Sequence, residues 1–169
     1  EGCPMCSDIS LEENKQSFLI SEFDYSYVRF PKNQYYKGWV VVFLKRHANE
    51  LYELSDEELV GYTKEVAHVA KTINEIYKPV KINYAVFGSL CPHVHYHIIP
   101  RFFEDDPHAP IKMDEKEKFL TDEGYKEAIS RIRKVLVEGA PFFGHFCEVV
   151  NEWFRRPKWP FFVWLPAVA

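Results

Sequence analysis

Three histidines at alternate positions are the feature of this chain that most directly suggests chemistry. Residues 93–97 read His-Val-His-Tyr-His. In an extended strand alternate side chains point to the same face, so His93, His95 and His97 would form one row on a sheet, whereas a helix would scatter them. A neutral imidazole can act as a nucleophile or as a metal ligand. The row therefore predicts catalysis or metal binding.

A pair of cysteines near the start of the sequence is a second candidate for metal chemistry. Cys3 and Cys6 enclose two residues, a spacing that suits zinc thiolates or a redox pair. Two unligated thiols remain an alternative, as does a disulfide. A His-x-His pair on a strand could also bind zinc, but that alone would leave the third histidine unexplained.

Size and composition indicate one globular domain. With 169 residues, of which 47% are hydrophobic and 17% aromatic, the chain can bury a sizeable core. Its formal net charge of −4 gives no general reason to expect nucleic-acid binding, so any phosphate chemistry has to come from a local site. No apolar run is long enough for a membrane span and no signal peptide is visible. We therefore expect a cytoplasmic protein with reduced thiols.

The elements that would position these residues form an α+β domain. The run 39–44 is apolar at nearly every position, which indicates a central strand buried on both faces. Together with its neighbours it predicts an antiparallel sheet of about five strands, with one long helix across it and a C-terminal helix. The predicted strands are 17–22, 25–30, 39–44, 81–87 and 93–99.

Local sequence signals predict where the helices begin and end. Ser55 and Glu58 form a capping box that begins the long helix, and Pro79 ends it after about Lys78. A short helical turn at 48–54 precedes it, and a second helix is predicted at about 122–138. The apolar stripe of the long helix comprises Leu59, Tyr62, Val66, Val69, Ile73 and Ile76; that of the second comprises Tyr125, Ile129, Ile132 and Leu136.

The C-terminal part is expected to extend the main domain. We assign residues 1–110 to the core domain, 111–140 to a helical extension of that domain and 141–169 to an aromatic-rich tail. Nine of the 29 tail residues are Phe or Trp, and four prolines interrupt them. We expect this tail to pack on the core or on a partner subunit, with a lid over the active site as the alternative.

The histidine strand and its surroundings resemble the histidine triad (HIT) superfamily. Residues 93–99 match the motif His-φ-His-φ-His-φ-φ, in which φ is an apolar residue. The resemblance covers about residues 3–110, because Lys37–Val42, Lys45–His47, Leu51–Leu54 and Pro100-Arg101 also fall in the family's order. It implies a nucleotide-binding hydrolase that attacks an α-phosphate, with dinucleoside polyphosphates as the expected substrates. A nucleotidyltransferase and a catalytically weak nucleotide sensor are the alternatives.

The resemblance also implies roles for individual residues. His95, the middle histidine, would be the nucleophile that forms a covalent nucleotidyl-histidine, and His97 would contact the phosphate oxygens. Asn83 and Ser89 are the expected substrate contacts, although both could simply cap strand ends. Trp39 stands where many members carry a histidine that assists the leaving group. We expect it to stack on a base or to line the pocket instead.

A structural zinc ion and a homodimer are further implications of the resemblance. Members that begin Cys-Pro-x-Cys bind zinc through that pair, the histidine after the central strand and the first histidine of the triad. Carried over to this chain, the ligands are Cys3, Cys6, His47 and His93. Two thiolates and two imidazoles complete a tetrahedral set, which is typical of structural zinc.

Overall fold

The computed structural model describes residues 2–105, 107–112 and 116–138 and confirms the predicted α+β fold. The aromatic-rich tail predicted at 141–169 lies outside the described residues. The strands are β1 (Ser17–Glu22), β2 (Ser26–Pro31), β3 (Val40–Leu44), β4 (Lys81–Ala85) and β5 (His95–Arg101), and the helices are α1 (Asp56–Tyr77) and α2 (Asp122–Glu138). Short 3-10 turns lie at Leu51–Glu53 and Phe103–Asp105.

The five strands form one antiparallel sheet in the order β1-β2-β3-β5-β4. β3 lies at the centre and all of its residues are buried, as its apolar sequence predicts. Directly opposed residues of neighbouring strands point to the same face. Val41 opposes His97 and Phe43 opposes His95. The central strand therefore supplies an apolar neighbour for each of these two histidines.

Both helices cover the other face of the sheet. The capping box of Ser55 and Glu58 begins α1, and Lys78 ends it in a left-handed conformation with φ 50°. The α1 stripe and the α2 residues Tyr125, Ile132 and Leu136 share one core with the sheet. Among the described residues no helix is long and apolar enough to cross a membrane.

Some strand ends differ from their predicted positions. β5 begins at His95 instead of residue 93, and β4 ends at Ala85 instead of residue 87. The carbonyl of Val94 still accepts a hydrogen bond from Leu44 of β3 (3.0 Å), but its N–H donates to Ala48 (2.8 Å), which lies outside the sheet. Residues 86–94 therefore form a loop. β2 and β3 each begin one residue later than predicted.

Candidate active site and metal centre

The face of the sheet opposite the helices forms the wall of a cavity of about 520 Å³. Cavities of this volume accommodate nucleotide-sized ligands. Strand side chains form part of the wall, and loop residues complete it. The lining includes Arg29, Trp39, Val41, Phe43, His95 and His97 from the sheet and its edge, with Met5, Lys15, Gln16, Ser17, Pro31, Lys32, Asn33, Glu117 and Phe119 around them.

His95 has the geometry of a nucleophile. Its Nδ1 lies 2.6 Å from the backbone carbonyl of His93, so Nδ1–H donates to that oxygen and Nε2 keeps its lone pair. The ring stacks on Phe43, with centroids 5.2 Å apart and planes at 21°. Burial lowers the pKa of His95, so the ring is neutral at physiological pH. A neutral imidazole held in this tautomer can attack an electrophilic phosphorus.

His97 is enclosed by three other rings. Its centroid lies 4.9 Å from that of His95 and 5.5 Å from those of Trp39 and Phe87. Burial, assisted by the neighbouring His95, lowers the pKa of His97 to about 3. The ring is therefore neutral near pH 7, and it can interact with a phosphate only by donating a hydrogen bond, without contributing a full positive charge.

Cys3, Cys6, His47 and His93 converge into one group. Their ligand atoms all lie within 4.8 Å of one another. His93 Nδ1 is 3.6 Å from Cys3 Sγ and 3.5 Å from Cys6 Sγ, and His47 Nδ1 is 3.6 Å from Cys6 Sγ. A tetrahedral zinc ion with ordinary bond lengths would separate its sulfur and nitrogen ligands by about 3.5 Å. The group could therefore bind a metal such as zinc.

His93 connects this group to His95. Its Nε2–H donates to the carbonyl of Leu44 at 2.7 Å, which leaves Nδ1 unprotonated and directed at the cysteines. Burial lowers the pKa of His93 and so favours the neutral ring that metal binding requires. The carbonyl of the same residue accepts the bond from His95. Any shift of His93 therefore displaces the partner that orients His95.

Two of the predicted substrate contacts lie outside the cavity lining. Asn83 lies on β4, where its Oδ1 accepts a hydrogen bond from Arg101 Nη1 at 3.1 Å. Ser89 is exposed in the loop between β4 and β5. Trp39, His95 and His97 do line one cavity. The substrate roles of Asn83 and Ser89 therefore stay predictions.

The sequence analysis missed the buried Arg29. Its guanidinium donates to Ser17 Oγ (2.8 Å), to the carbonyl of Ile9 (2.7 Å) and to that of Leu11 (2.6 Å), which ties the N-terminal segment to the cavity. A charged residue inside a strand of otherwise apolar and aromatic residues was the available signal. Such a residue has to find internal partners when it is buried.

The sequence analysis also missed Glu117 and Phe119. Asn33 binds the backbone on both sides of Glu117, since its Nδ2 donates to the carbonyl of Lys116 (3.1 Å) and its Oδ1 accepts from the N–H of Lys118 (3.0 Å). These bonds hold the segment over the β2–β3 loop and direct Glu117 and Phe119 to the cavity. The residues in this contact are more than 80 positions apart in the sequence, so no local pattern predicts it.

Comparison with known proteins assigns the family. The sequence model of the HIT domain matches residues 12–104. The chain belongs to the HIT family. It is 34% identical over 101 residues to an uncharacterised HIT-like protein of Methanocaldococcus jannaschii, covering 57% of this chain and 74% of that protein.

The chain is also similar to a second curated protein and to a solved structure. The adenosine 5'-monophosphoramidase of Schizosaccharomyces pombe is 38% identical over 66 residues, which cover 38% of this chain and 50% of that enzyme. A histidine triad protein of Bradyrhizobium japonicum has a crystal structure with a TM-score of 0.67 at 25% identity, covering 72% of this chain and 92% of that one. The five-stranded sheet with its two helices is therefore the HIT fold.

Proposed function

We propose that this HIT protein hydrolyses a nucleoside phosphate by attack of His95 on the α-phosphate. The observation that carries the proposal is the bond from His95 Nδ1 to the His93 carbonyl, which leaves Nε2 as the basic nitrogen of a neutral ring in the cavity. Nucleophilic catalysis by histidine requires this tautomer. No general base is needed, because the attacking nitrogen carries no proton.

The reaction takes two steps. In the first, the lone pair of His95 Nε2 forms a bond to phosphorus, and the bond from phosphorus to the leaving group breaks with its electron pair on that group. In the second, water attacks the phosphorus of the nucleotidyl-histidine and loses one proton to solvent. The bond from phosphorus to His95 Nε2 breaks with its electron pair on the nitrogen, which releases a nucleoside monophosphate and restores the lone pair. His97 donates a hydrogen bond to a non-bridging oxygen, where negative charge develops in each transition state.

The cavity supports two classes of substrate. Its apolar part, with Trp39, Val41 and Phe43, suits a nucleobase, and Lys15 and Lys32 on the rim provide positive charge for further phosphates. Lys32 also forms a salt bridge with Glu13, in which Lys32 Nζ lies 2.6 Å from the carboxylate oxygen. We therefore propose dinucleoside polyphosphates as the first candidates. The relationship to an adenosine monophosphoramidase makes nucleoside phosphoramidates the second.

We further propose that Cys3, Cys6, His47 and His93 bind a structural zinc ion. The four side chains would fill a tetrahedral coordination sphere, and a zinc ion without an open position serves as a cross-link and not as an activator of water. The chemistry on the substrate is then left to His95 and His97. The contribution of the metal centre is to hold His93, whose carbonyl orients the nucleophile.

The test is direct detection of the covalent intermediate. The protein is mixed with dinucleoside polyphosphates and with adenosine phosphoramidate, quenched with acid-free denaturant and mapped by mass spectrometry. We expect a nucleoside monophosphate on His95, none in His95→Ala and an unchanged yield in His108→Ala, an exposed histidine outside the cavity. His95→Ala should lose turnover but bind nucleotide within about tenfold of the original affinity. Turnover by His95→Ala within about tenfold of the unsubstituted protein would overturn the proposal.

A nucleotidyltransferase or a nucleotide sensor would use the same cavity, and this experiment separates them. A transferase would form the adduct but discharge it to a second substrate faster than to water. A sensor would bind nucleotide without forming the adduct. Hydrolysis of the adduct at a rate that matches steady-state turnover is the result we expect for the hydrolase.

A further inference from the structure

Two buried ring nitrogens beside the nucleophile lack a hydrogen-bond partner among the described residues. They are Trp39 Nε1 and His97 Nδ1. Buried polar atoms in folded proteins are nearly always paired, because an unpaired one has lost its bond to water without a replacement. Two such atoms on neighbouring rings therefore require an explanation.

The two nitrogens have complementary chemistry. The indole nitrogen of Trp39 always carries a hydrogen and can only donate, whereas Nδ1 of a neutral His97 accepts when the hydrogen is on Nε2. The rings lie 5.5 Å apart between centroids, with their planes at 33°. Because Val41 opposes His97, Trp39 lies two residues further along the same face. The donor and the acceptor therefore lie on neighbouring rings on one face of the sheet.

Among the described residues, the other two rings around His97 cannot donate a hydrogen bond to Nδ1. Phe87 has no polar atom, and the Nδ1–H of His95 is committed to the carbonyl of His93. Of the three rings around His97, only Trp39 offers a hydrogen that is not already donated. The backbone of Trp39 is also held in place, since its carbonyl accepts from Gln34 Nε2 at 3.1 Å.

We propose that Trp39 is a positioning residue that donates its indole N–H to His97 Nδ1 and thereby holds His97 in the tautomer with the hydrogen on Nε2. The proposal rests on the function proposed above, in which His97 donates a hydrogen bond to the phosphate. In the opposite tautomer Nε2 would present a lone pair to the phosphate oxygens and repel them. Through this bond Trp39 would act on the phosphate by way of His97, in addition to lining the apolar part of the cavity.

The test measures the tautomer itself. Histidine side-chain nitrogens of the 15N-labelled full chain are followed by NMR at neutral pH, and the His97 signals are identified by their loss in His97→Gln. We expect the Nε2–H form in the unsubstituted protein and a mixture of both tautomers in Trp39→Phe, which keeps a ring but has no N–H. Phe87→Leu is the matched control, because it alters a ring contact of His97 without removing a donor. The same tautomer population in Trp39→Phe as in the unsubstituted protein would overturn the proposal.

A kinetic measurement separates this inference from the function on which it rests. Trp39→Phe should slow formation of the His95 adduct by about 10- to 100-fold, because the lost bond acts in the transition state. KM should stay within about threefold, because the phenylalanine ring keeps the apolar contact with the nucleobase. If Trp39→Phe shifts the tautomer but the unsubstituted protein forms no adduct, only the hydrolase proposal is contradicted. Adduct formation at the original rate in Trp39→Phe would contradict the role of Trp39 alone.

Discussion

His93 shows how one residue can serve two sites through different atoms. Its Nδ1 lies among the ligand atoms of the candidate metal centre, its Nε2–H is bound to Leu44, and its carbonyl orients His95. The sequence resemblance predicted the first role. The third role depends on the loop that precedes β5, because His93 lies outside the strand in which it was predicted. The candidate metal centre and the proposed nucleophile are thus joined by a single backbone carbonyl.

We predict that the residue at position 39 affects the rate at which poor leaving groups depart. Trp39 stands where many family members carry a histidine, so a poor leaving group receives no proton from this position. Trp39→His should therefore raise the ratio of the rate with poor leaving groups to the rate with good ones. The measurement is the rate of adduct formation across a series of leaving groups of graded pKa. If the rates in the two proteins changed in parallel across the series, residue 39 would play no part in the departure of the leaving group.

At the scale of elements, the helices were predictable and one strand start was not. A capping box, a regular apolar stripe and a following proline all lie within the helix or next to it, so α1 and α2 agree with their predicted positions. The start of β5 depends on the bonds of Val94 to Ala48 and Leu44, which are distant in sequence. Long-range backbone pairing of this kind leaves no local pattern.

The start of α1 should make stability depend on acid pH. Hydrogen bonds from Arg46 first, and then from the backbone of Ser55, lower the pKa of Glu58 from 4.5 to about 2. A carboxylate whose pKa is lowered by folding stabilises the protein above its unfolded pKa, and that contribution is lost as the pH falls from about 4.5 to 2. Glu58→Gln should therefore lower the urea concentration at the unfolding midpoint at pH 7. Below pH 4.5 this midpoint should fall less steeply with pH than it does in the unsubstituted protein.

The control for Glu58 lies on the same helix. Glu75 is an exposed residue near the end of α1, where it has no part in the capping box. Glu75→Gln should leave the acid dependence of the urea midpoint unchanged. Equal acid dependence in Glu58→Gln and in the unsubstituted protein would show that the capping box does not account for it.

At the scale of the molecule, the site is assembled from distant parts of the chain. Cys3 and Cys6 meet His47 and His93, and Arg29 holds the carbonyls of Ile9 and Leu11. The family motif predicted the three histidines and the four side chains of the candidate metal centre, which the structure brings together. It could not predict Arg29 or the segment with Glu117 and Phe119, because their contacts depend on the folded surface.

Removal of the metal should weaken both the fold and the nucleophile. We expect purified protein to contain close to one zinc ion per chain, and chelation to lower the melting temperature, because binding couples to folding. Adduct formation on His95 should fall at the same chelator concentration, since His93 would lose its anchor. Cys6→Ser should melt at a lower temperature and respond no further to chelator. Protein prepared without chelator that contains no metal would contradict the zinc proposal.

The two edges of the sheet differ in how far other parts of the chain cover them. The edge at β1 is partly covered, since Leu19 donates to the carbonyl of Glu12 and Glu13 forms a bridge with Phe18. Within the described residues, β4 pairs only with β5. An uncovered edge strand with exposed apolar side chains tends to pair with another chain. We therefore propose that two copies of the protein join at β4 into a symmetric homodimer.

The substitution that tests this assembly is Tyr84→Lys. Tyr84 lies on β4 with 52% of its surface exposed, and a lysine there would place two like charges near the two-fold axis of the dimer. Light scattering should give a dimer for the unsubstituted protein and at least a tenfold weaker association for Tyr84→Lys, or about 1.4 kcal/mol. Tyr52→Lys is the matched control, because Tyr52 is 84% exposed on the turn before α1, away from this edge. A monomer at all concentrations, or equal weakening by both substitutions, would exclude β4 as the interface.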